Sequence, residues 1–296
     1  MAFLYPLSQR TAERLRAMPG EGGTHRWLAQ VASGLRHLLT ADACFKFLRR
    51  CCDEAVAHRT VPDAEIAAAV DFAYSGQQVV KANFGRSPVD WPERNPGLIA
   101  RVFAETAPAF DAETGTDLGP GDVLPMVFRS GEHVCSGRTK DRASIRPLEE
   151  TVADAGWLQF IVVNPMRGKE AVNFEGKRSA RCQNNTGIRR HLVAEFDDRA
   201  LSKAQQAQLI GRLATFAPLV MVVDSGGQSL HAWFRVEQMP ARDHVRFFYV
   251  ACLLGADPSR WDICGWLRMP GGLRVVEGVP SVRQRILHFN PGLARG

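Results

Sequence analysis

Three short stretches of this chain carry residue types that chemistry uses. The first is Ala194-Glu195-Phe196-Asp197-Asp198. Glu195 and Asp197 stand two apart, so on a strand both carboxylates project from one face. They follow an apolar run, where a strand leaves a core, and two carboxylates converging there repel unless a cation neutralises them. Oxygen ligands of this kind select Mg²⁺ or Mn²⁺. Taken alone, the spacing is equally that of a solvated strand end.

The second stretch is Ser225-Gly226-Gly227-Gln228-Ser229-Leu230-His231, followed by Ala232-Trp233-Phe234. Its glycines let backbone amides approach a phosphate with no Cβ in the way. Alternation puts His231 on the face opposite Leu230, Ala232 and Phe234, and so away from their core. The third stretch is Arg268-Met269-Pro270-Gly271-Gly272-Leu273-Arg274, preceded by Asp262. Two arginines flank a tight turn, and Asp262 offers a third acid. A β-turn with two solvated arginines has the same composition.

The elements that position these residues can be read from periodicity. His191–Phe196, Leu219–Val223 and Leu230–Val236 have strand character. Leu201–Phe216 and Asp243–Gly255 are helical, with Leu209, Ile210, Leu213 and Phe216 on one side of the former. Trp157–Val163, Trp266–Arg274 and Val282–Phe289 complete the expected strands. Mixed strands and helices with local hairpins predict an α+β domain over 126–296. Residues 1–85 read as a small helical bundle. Its stripes are Leu28, Val31, Ala32, Leu35 and Leu38, then Cys44, Phe45, Leu48, Cys52 and Val56, then Ile66, Ala69, Val70 and Phe72. Six prolines between 88 and 125 predict a Pro-rich, partly packed connector over 86–125, with a helix near 95–105 inside it.

The order of the three stretches is more specific than any one of them. A Glu-x-Asp strand, a helix, a strand, Ser-Gly-Gly-x-Ser-Leu-His on the next strand, a helix, then Asp and Arg-Met-Pro-Gly-Gly resembles the archaeo-eukaryotic primase superfamily. The similarity is to the primase-polymerase branch of plasmids, phages and mobile elements. It covers about 126–292, including Asn164-Pro165-Met166, Glu175-Gly176-Lys177 and Asn184-Asn185-Thr186-Gly187. The first 85 residues look similar to the helical domain that often accompanies such primases, with His25-Arg26 opening its first helix. Two positions depart from the pattern: Gln228 stands where many relatives have Lys, and Asp262 is placed differently from the usual third acid.

The resemblance implies an RRM-like, mixed-sheet catalytic domain and a nucleotidyltransferase that makes or extends primers on single-stranded DNA. Glu195, Asp197 and Asp262 would hold Mg²⁺ or Mn²⁺, with His231 as the fourth catalytic residue. Ser225, Gly226, Gly227, Ser229 and Arg268 would hold a nucleoside triphosphate. The template would lie on a basic stretch, since Arg167, Lys169, Lys177, Arg178, Arg181, Arg189 and Arg190 face only Glu170 and Glu175 between 166 and 192. Trp233 and Trp266 are candidates for base stacking, although buried strand aromatics are commoner.

Composition bounds these expectations. The chain has 296 residues, 45% apolar and 23% charged, which excludes collagen-like and wholly disordered proteins. Its +6 charge permits an anionic partner without requiring one. Seven cysteines with no C-x-x-C pair argue against a disulfide framework or zinc ribbon, and Cys44, Cys51, Cys52 and His58 match no zinc spacing. A cytoplasmic location is expected, with no membrane partner: no apolar run reaches the ~18 residues of a span, and the N-terminus lacks a signal-peptide pattern. No P-loop is present, so a replicative helicase would be a separate partner. The alternative is a catalytically weak module that binds nucleic acid or nucleotide beside such a helicase. Retention of Glu195, Asp197 and His231 argues against it. A rolling-circle nickase needs a His-hydrophobic-His pair and an exposed tyrosine. The chain lacks that pair and has only Tyr5, Tyr74 and Tyr249.

Overall fold

A computed structural model describes residue 15 and residues 24–36, 39–54, 60–74 and 90–294. The chain divides into two compact units, 1–93 and 94–296. Tyr5, Leu38, Val56, His58 and residues 86–89 lie outside the described residues.

In the first unit, α1 (Thr24–Leu35), α2 (Ala41–Glu54) and α3 (Asp63–Tyr74) match the three expected stripes. Leu28, Val31, Ala32 and Leu35 of α1 share one core with Cys44, Leu48 and Cys52 of α2 and Ile66, Ala69 and Val70 of α3. Pro62 precedes the last helix, where its fixed φ suits a helix start. Cys44 and Cys52 are therefore core residues. Burial pushes the Cys44 thiol up to about 11, which keeps it protonated.

The second unit contains α4 (Pro96–Glu105), α5 (Pro120–Val127), β1 (His133–Gly137), β2 (Ser144–Pro147), α6 (Leu148–Ala153), β3 (Phe160–Ile161), β4 (Ala171–Val172), β5 (Arg178–Ser179) and β6 (His191–Glu195). It continues with α7 (Lys203–Ala214), β7 (Leu219–Asp224), β8 (Leu230–Arg235), α8 (Ala241–Leu253), β9 (Leu267–Arg268), β10 (Leu273–Val276), β11 (Val279–Arg283), β12 (Ile286–Phe289) and α9 (Pro291–Ala294).

Two four-stranded sheets form the core, in the orders β12-β7-β8-β6 and β2-β1-β3-β9. Every strand pair among them is antiparallel. The chain is thus α+β, but the sheets are not mixed. Strands β6 and β7 do run in the same direction, as a split β-α-β unit with β8 inserted between them. The last strand, β12, adds at the free edge of β7 rather than beside β6. Val193, Met221, Val223, Trp233 and Ile286 of the first sheet share a buried cluster with Val134, Ile161 and Leu267 of the second. Helices α7 and α8 cover the other face, where the Phe234 and Phe247 rings lie 4.9 Å apart.

The proline-rich segment is packed along most of its described length. From Arg94 onward it belongs to the second unit. Asn95 caps α4 by accepting from the Leu98 amide, and Gln208 of α7 donates to the carbonyls of Phe103 and Thr106. Val123, Leu124 and Val127 of α5 enter the inter-sheet core. Proline at a helix N1 position promotes a helix rather than interrupting one. Three expected strands are also shorter or split. Trp157 ends a 3-10 turn, Ala155–Trp157, and only Phe160–Ile161 pairs. Pro270-Gly271-Gly272 separates β9 from β10. Gly271 has φ +70°, and a Cβ there would lie 2.7 Å from the Leu118 carbonyl oxygen. Beyond the β10–β11 hairpin, the Gln284 amide donates to Gly272 O and closes this turn against the start of β12.

Candidate active site

Glu195 and His231 face each other in the β6–β8 ladder. The next paired residues inward on that face are Val193 and Trp233, both in the inter-sheet core. The acid and the histidine therefore stand where the two sheets part. His231 does point away from Leu230, Ala232 and Phe234, yet it is only 4% exposed, because a second sheet covers that face. Ser229 Oγ donates to Glu195 Oε1 at 3.2 Å, and His231 Nε2 lies 3.4 Å from the same oxygen. Arg260 Nε lies 3.4 Å from Glu195 Oε2. Burial alone would raise the Glu195 pKa. His231, Arg260 and the Ser229 hydroxyl outweigh it and bring the carboxyl down to about 2.

A cleft of about 460 Å³ opens over these residues. Its walls carry Glu195, Asp197 and Asp257, and also Lys140, Arg199, Arg260, Arg268 and Arg274. Ser225, Gln228, Ser229 and His231 line it as well. The cleft thus carries three acidic and five basic side chains, and one of the latter, Arg260, sits between Glu195 and Asp257. Arg268 packs over Phe160, 4.7 Å from the ring centroid. Burial first, then the Arg274 charge, lowers its pKa, and Glu195 partly offsets them.

The glycine turn is built as a scaffold. Gly226 has φ +70°, and its amide donates to Asp224 Oδ1. Asp224 is held in turn by Lys203 at 2.6 Å and Arg285 at 3.6 Å. Arg274 Nη1 donates to the Gly226 carbonyl, and a Cβ on Gly227 would come 2.1 Å from that nitrogen. Both glycines therefore serve the seating of Arg274, and neither lines the cleft.

Asp262 is not in the cleft wall. Its Oδ1 accepts from Gln183 Nε2 at 3.2 Å and from the Cys264 amide at 3.3 Å, and it lines a small hole beside Arg189 and His191. The third acid of the cleft is Asp257, which the sequence reading passed over. Its amide donates to the Glu195 carbonyl at 2.8 Å, so the strand end and the 3-10 turn Pro258–Trp261 share one anchor. The available signal was Asp257-Pro258-Ser259, an acid that caps a turn. Lys140 and Arg274 were also missed as cleft residues.

The expected template surface is largely committed elsewhere. Arg190 is 2% exposed and makes a bidentate pair with Glu132 at 3.0 and 2.6 Å. Arg189 stacks on Trp261 at 4.3 Å and donates to its carbonyl. Arg181 stacks on Trp266 at 5.2 Å and donates to the Cys264 carbonyl. Lys177 and Arg178 are exposed on the β4–β5 hairpin, but pair with Glu175 and Glu170. Trp233 is wholly buried and cannot stack on a base, whereas Trp266 lines the cleft.

Ser229, His231 and Glu195 superficially suggest a hydrolase triad. Such a relay needs the serine on one ring nitrogen and the acid on the other. Here Ser229 Oγ and Glu195 Oε1 both lie 3.4 Å from Nε2, so the ring does not relay a proton between them. His231 Nδ1 and Arg274 Nε are buried with no hydrogen-bond partner among the described residues.

For a metal, no three His, Cys, Asp or Glu side chains among the described residues form a ready-made cage. Glu195, Asp197 and Asp257 line one cleft and supply the carboxylate oxygens that Mg²⁺ or Mn²⁺ prefers, although Glu195 and Asp257 are already paired with Arg260. No helix among the described residues is long and apolar enough to cross a membrane. No protein-family model, curated protein or solved structure matches this chain.

Proposed function

We propose that the protein is a metal-dependent nucleotidyltransferase of the primase-polymerase kind, extending a primer or starting one on a single-stranded DNA template from nucleoside triphosphates. The observation that carries this reading is one cleft lined by the carboxylates of Glu195, Asp197 and Asp257 together with Lys140, Arg199, Arg268 and Arg274. The order of sequence stretches that resembles the primase superfamily supports it.

In this reading Arg268, Arg274 and Lys140 receive the triphosphate, and their charge offsets that developing on the departing pyrophosphate. Glu195, Asp197 and Asp257 would hold Mg²⁺ or Mn²⁺. When bound there, the cation supplies Lewis-acid stabilisation of the transferring phosphoryl group. Ser229 and His231 fix the orientation of Glu195, whose low pKa keeps it an anion at neutral pH. Asp224 and the glycine turn hold Arg274 in place. An unpaired buried N–H on Arg274 is a donor that a phosphate oxygen would satisfy.

The test is template-dependent extension on a polypyrimidine single strand with Mg²⁺ or Mn²⁺, with the Glu195→Ala/Asp197→Ala variant alongside. Products from the wild type alone are the expected result. The alternative, a catalytically weak module that binds nucleic acid or nucleotide beside a separate helicase, is favoured by one observation. Arg260 already neutralises Glu195. Single-strand binding without extension in either protein would select it.

A further inference from the structure

We propose that the template strand reaches the cleft along a basic and aromatic track on the β1–β2 turn and the 3-10 turn before β3. The inference rests on the polymerase reading and places the strand where the sequence did not. Arg138, Lys140 and Arg142 lie on the β1–β2 turn, all exposed, with Asp141 the single acid between them. Beside them Trp157 is 70% exposed, and the Arg138 guanidinium carbon is 5.8 Å from its ring centroid. The two segments are stapled together. Gln159 Nε2 donates to the Arg138 carbonyl at 2.8 Å, and the Gln159 amide donates to Gly137 O at 3.0 Å.

The same pattern continues inward without a break. Lys140 Nζ lies 5.8 Å from the Phe160 ring centroid, its carbonyl accepts from Trp266 Nε1, and Lys140, Phe160 and Trp266 all line the cleft. A surface Trp by itself means little. An exposed Trp under an arginine, flanked by further cations and continuous with a cleft of catalytic type, has the composition that single-stranded nucleic acid needs. Cations meet phosphates, and an open aromatic face meets an unstacked base. A duplex hides its base faces and cannot use the ring. The exposed cations at Lys177 and Arg178 already pair with acids, and the ring on their hairpin, Phe174, is smaller and less exposed than Trp157, 46% against 70%.

The experiment is fluorescence anisotropy of labelled single-stranded homopolymers, deoxyribose and ribose, and of a blunt duplex, at low and moderate salt. The proteins are the full-length wild type, Trp157→Ala, Arg138→Glu/Arg142→Glu and Lys177→Glu/Arg178→Glu. Trp157→Ala should weaken single-strand binding roughly tenfold. The Arg138/Arg142 reversal should weaken it more and flatten the salt dependence by roughly one unit of slope per cation removed. The Lys177/Arg178 pair should bind like the wild type. Unchanged binding by both track variants, equal affinity for the duplex, or loss confined to the Lys177/Arg178 variant would each overturn the track. Extension by a track variant at wild-type efficiency would also overturn it while leaving the polymerase reading intact. Track-dependent binding by a wild type that extends no primer would sink the polymerase reading alone.

Discussion

Arg260 Nε lies 3.4 Å from Glu195 Oε2 and 3.3 Å from Asp257 Oδ2, so one guanidinium bridges two acids of the cleft. Its Nη1 also donates to the Trp266 carbonyl, which fixes the side chain against the cleft wall. The arginine stands as the cation that keeps these carboxylates from repelling one another. Removing its charge should leave two acids demanding another cation. We expect Arg260→Gln to bind Mn²⁺ without nucleotide on the order of tenfold more tightly than the wild type, which corresponds to roughly 1.4 kcal/mol. Electron paramagnetic resonance of free Mn²⁺ measures this directly, and equal affinities would mean that the pair does not regulate the site.

Asp257 and Asp262 give opposite expectations. Asp257→Asn changes a cleft carboxylate and should lower extension by roughly 10²-fold or more. Asp262→Asn sits beside Gln183 and Cys264 and should leave turnover close to wild type. Single-nucleotide incorporation rates for the two variants decide between them, and the reverse ranking would restore Asp262 as the third acid.

Gly227→Ala should act through Arg274. The added Cβ would meet Nη1 at 2.1 Å, and the side chain must swing aside. Because Arg274 is flexible at its tip, the fold should survive with its melting temperature nearly unchanged. The KM for nucleoside triphosphate should rise about tenfold, the scale of one charge-assisted hydrogen bond. An unchanged KM would show that Arg274 does not touch the substrate.

The fold should lose stability in mild acid because of His191. Burial, reinforced by the charges of Arg190 and Arg235 and only partly offset by the Val163 carbonyl, lowers this ring to about 3. In the unfolded chain it titrates near 6.5. Between those values the unfolded chain holds the extra proton, so the contribution is complete above about pH 6.5 and declines as pH falls toward 3. His191→Phe, which keeps a ring against Trp233, should show a shallower decline in melting temperature between neutral pH and about pH 5. A decline as steep as wild type would assign the acid sensitivity to other groups.

Arg190 should matter to the fold and not to nucleic acid. Arg190 is buried against Glu132, which keeps 20% of its side chain exposed, and Arg190 also bonds the Val127 carbonyl, so its loss removes a buried network. Arg190→Met should cost roughly 3–5 kcal/mol in urea unfolding. Single-strand affinity of the folded fraction should not change.

Much of this molecule is legible from local pattern. The three helical stripes of the first unit, the run β6-α7-β7-β8-α8 and the placing of His231 opposite Leu230, Ala232 and Phe234 follow from periods of 3.6 and 2, whereas its pairing with Glu195 is set by the strand register. Those periods report which side of an element is buried. They do not report what covers it, and each departure has that cause. The outward face of β8 meets a second sheet instead of water, so Trp233 is core and His231 is enclosed. Prolines 96 and 120 start packed helices rather than spacing two domains, because α7 and the inter-sheet core receive them. Arg190 reads as one of seven clustered cations, and only the return of Glu132 from far along the chain buries it. Asp257 and Asp262 are equivalent as letters. The hydrogen bond that the Asp257 amide donates to the Glu195 carbonyl, a contact between residues 62 apart in sequence, brings one into the cleft and leaves the other outside.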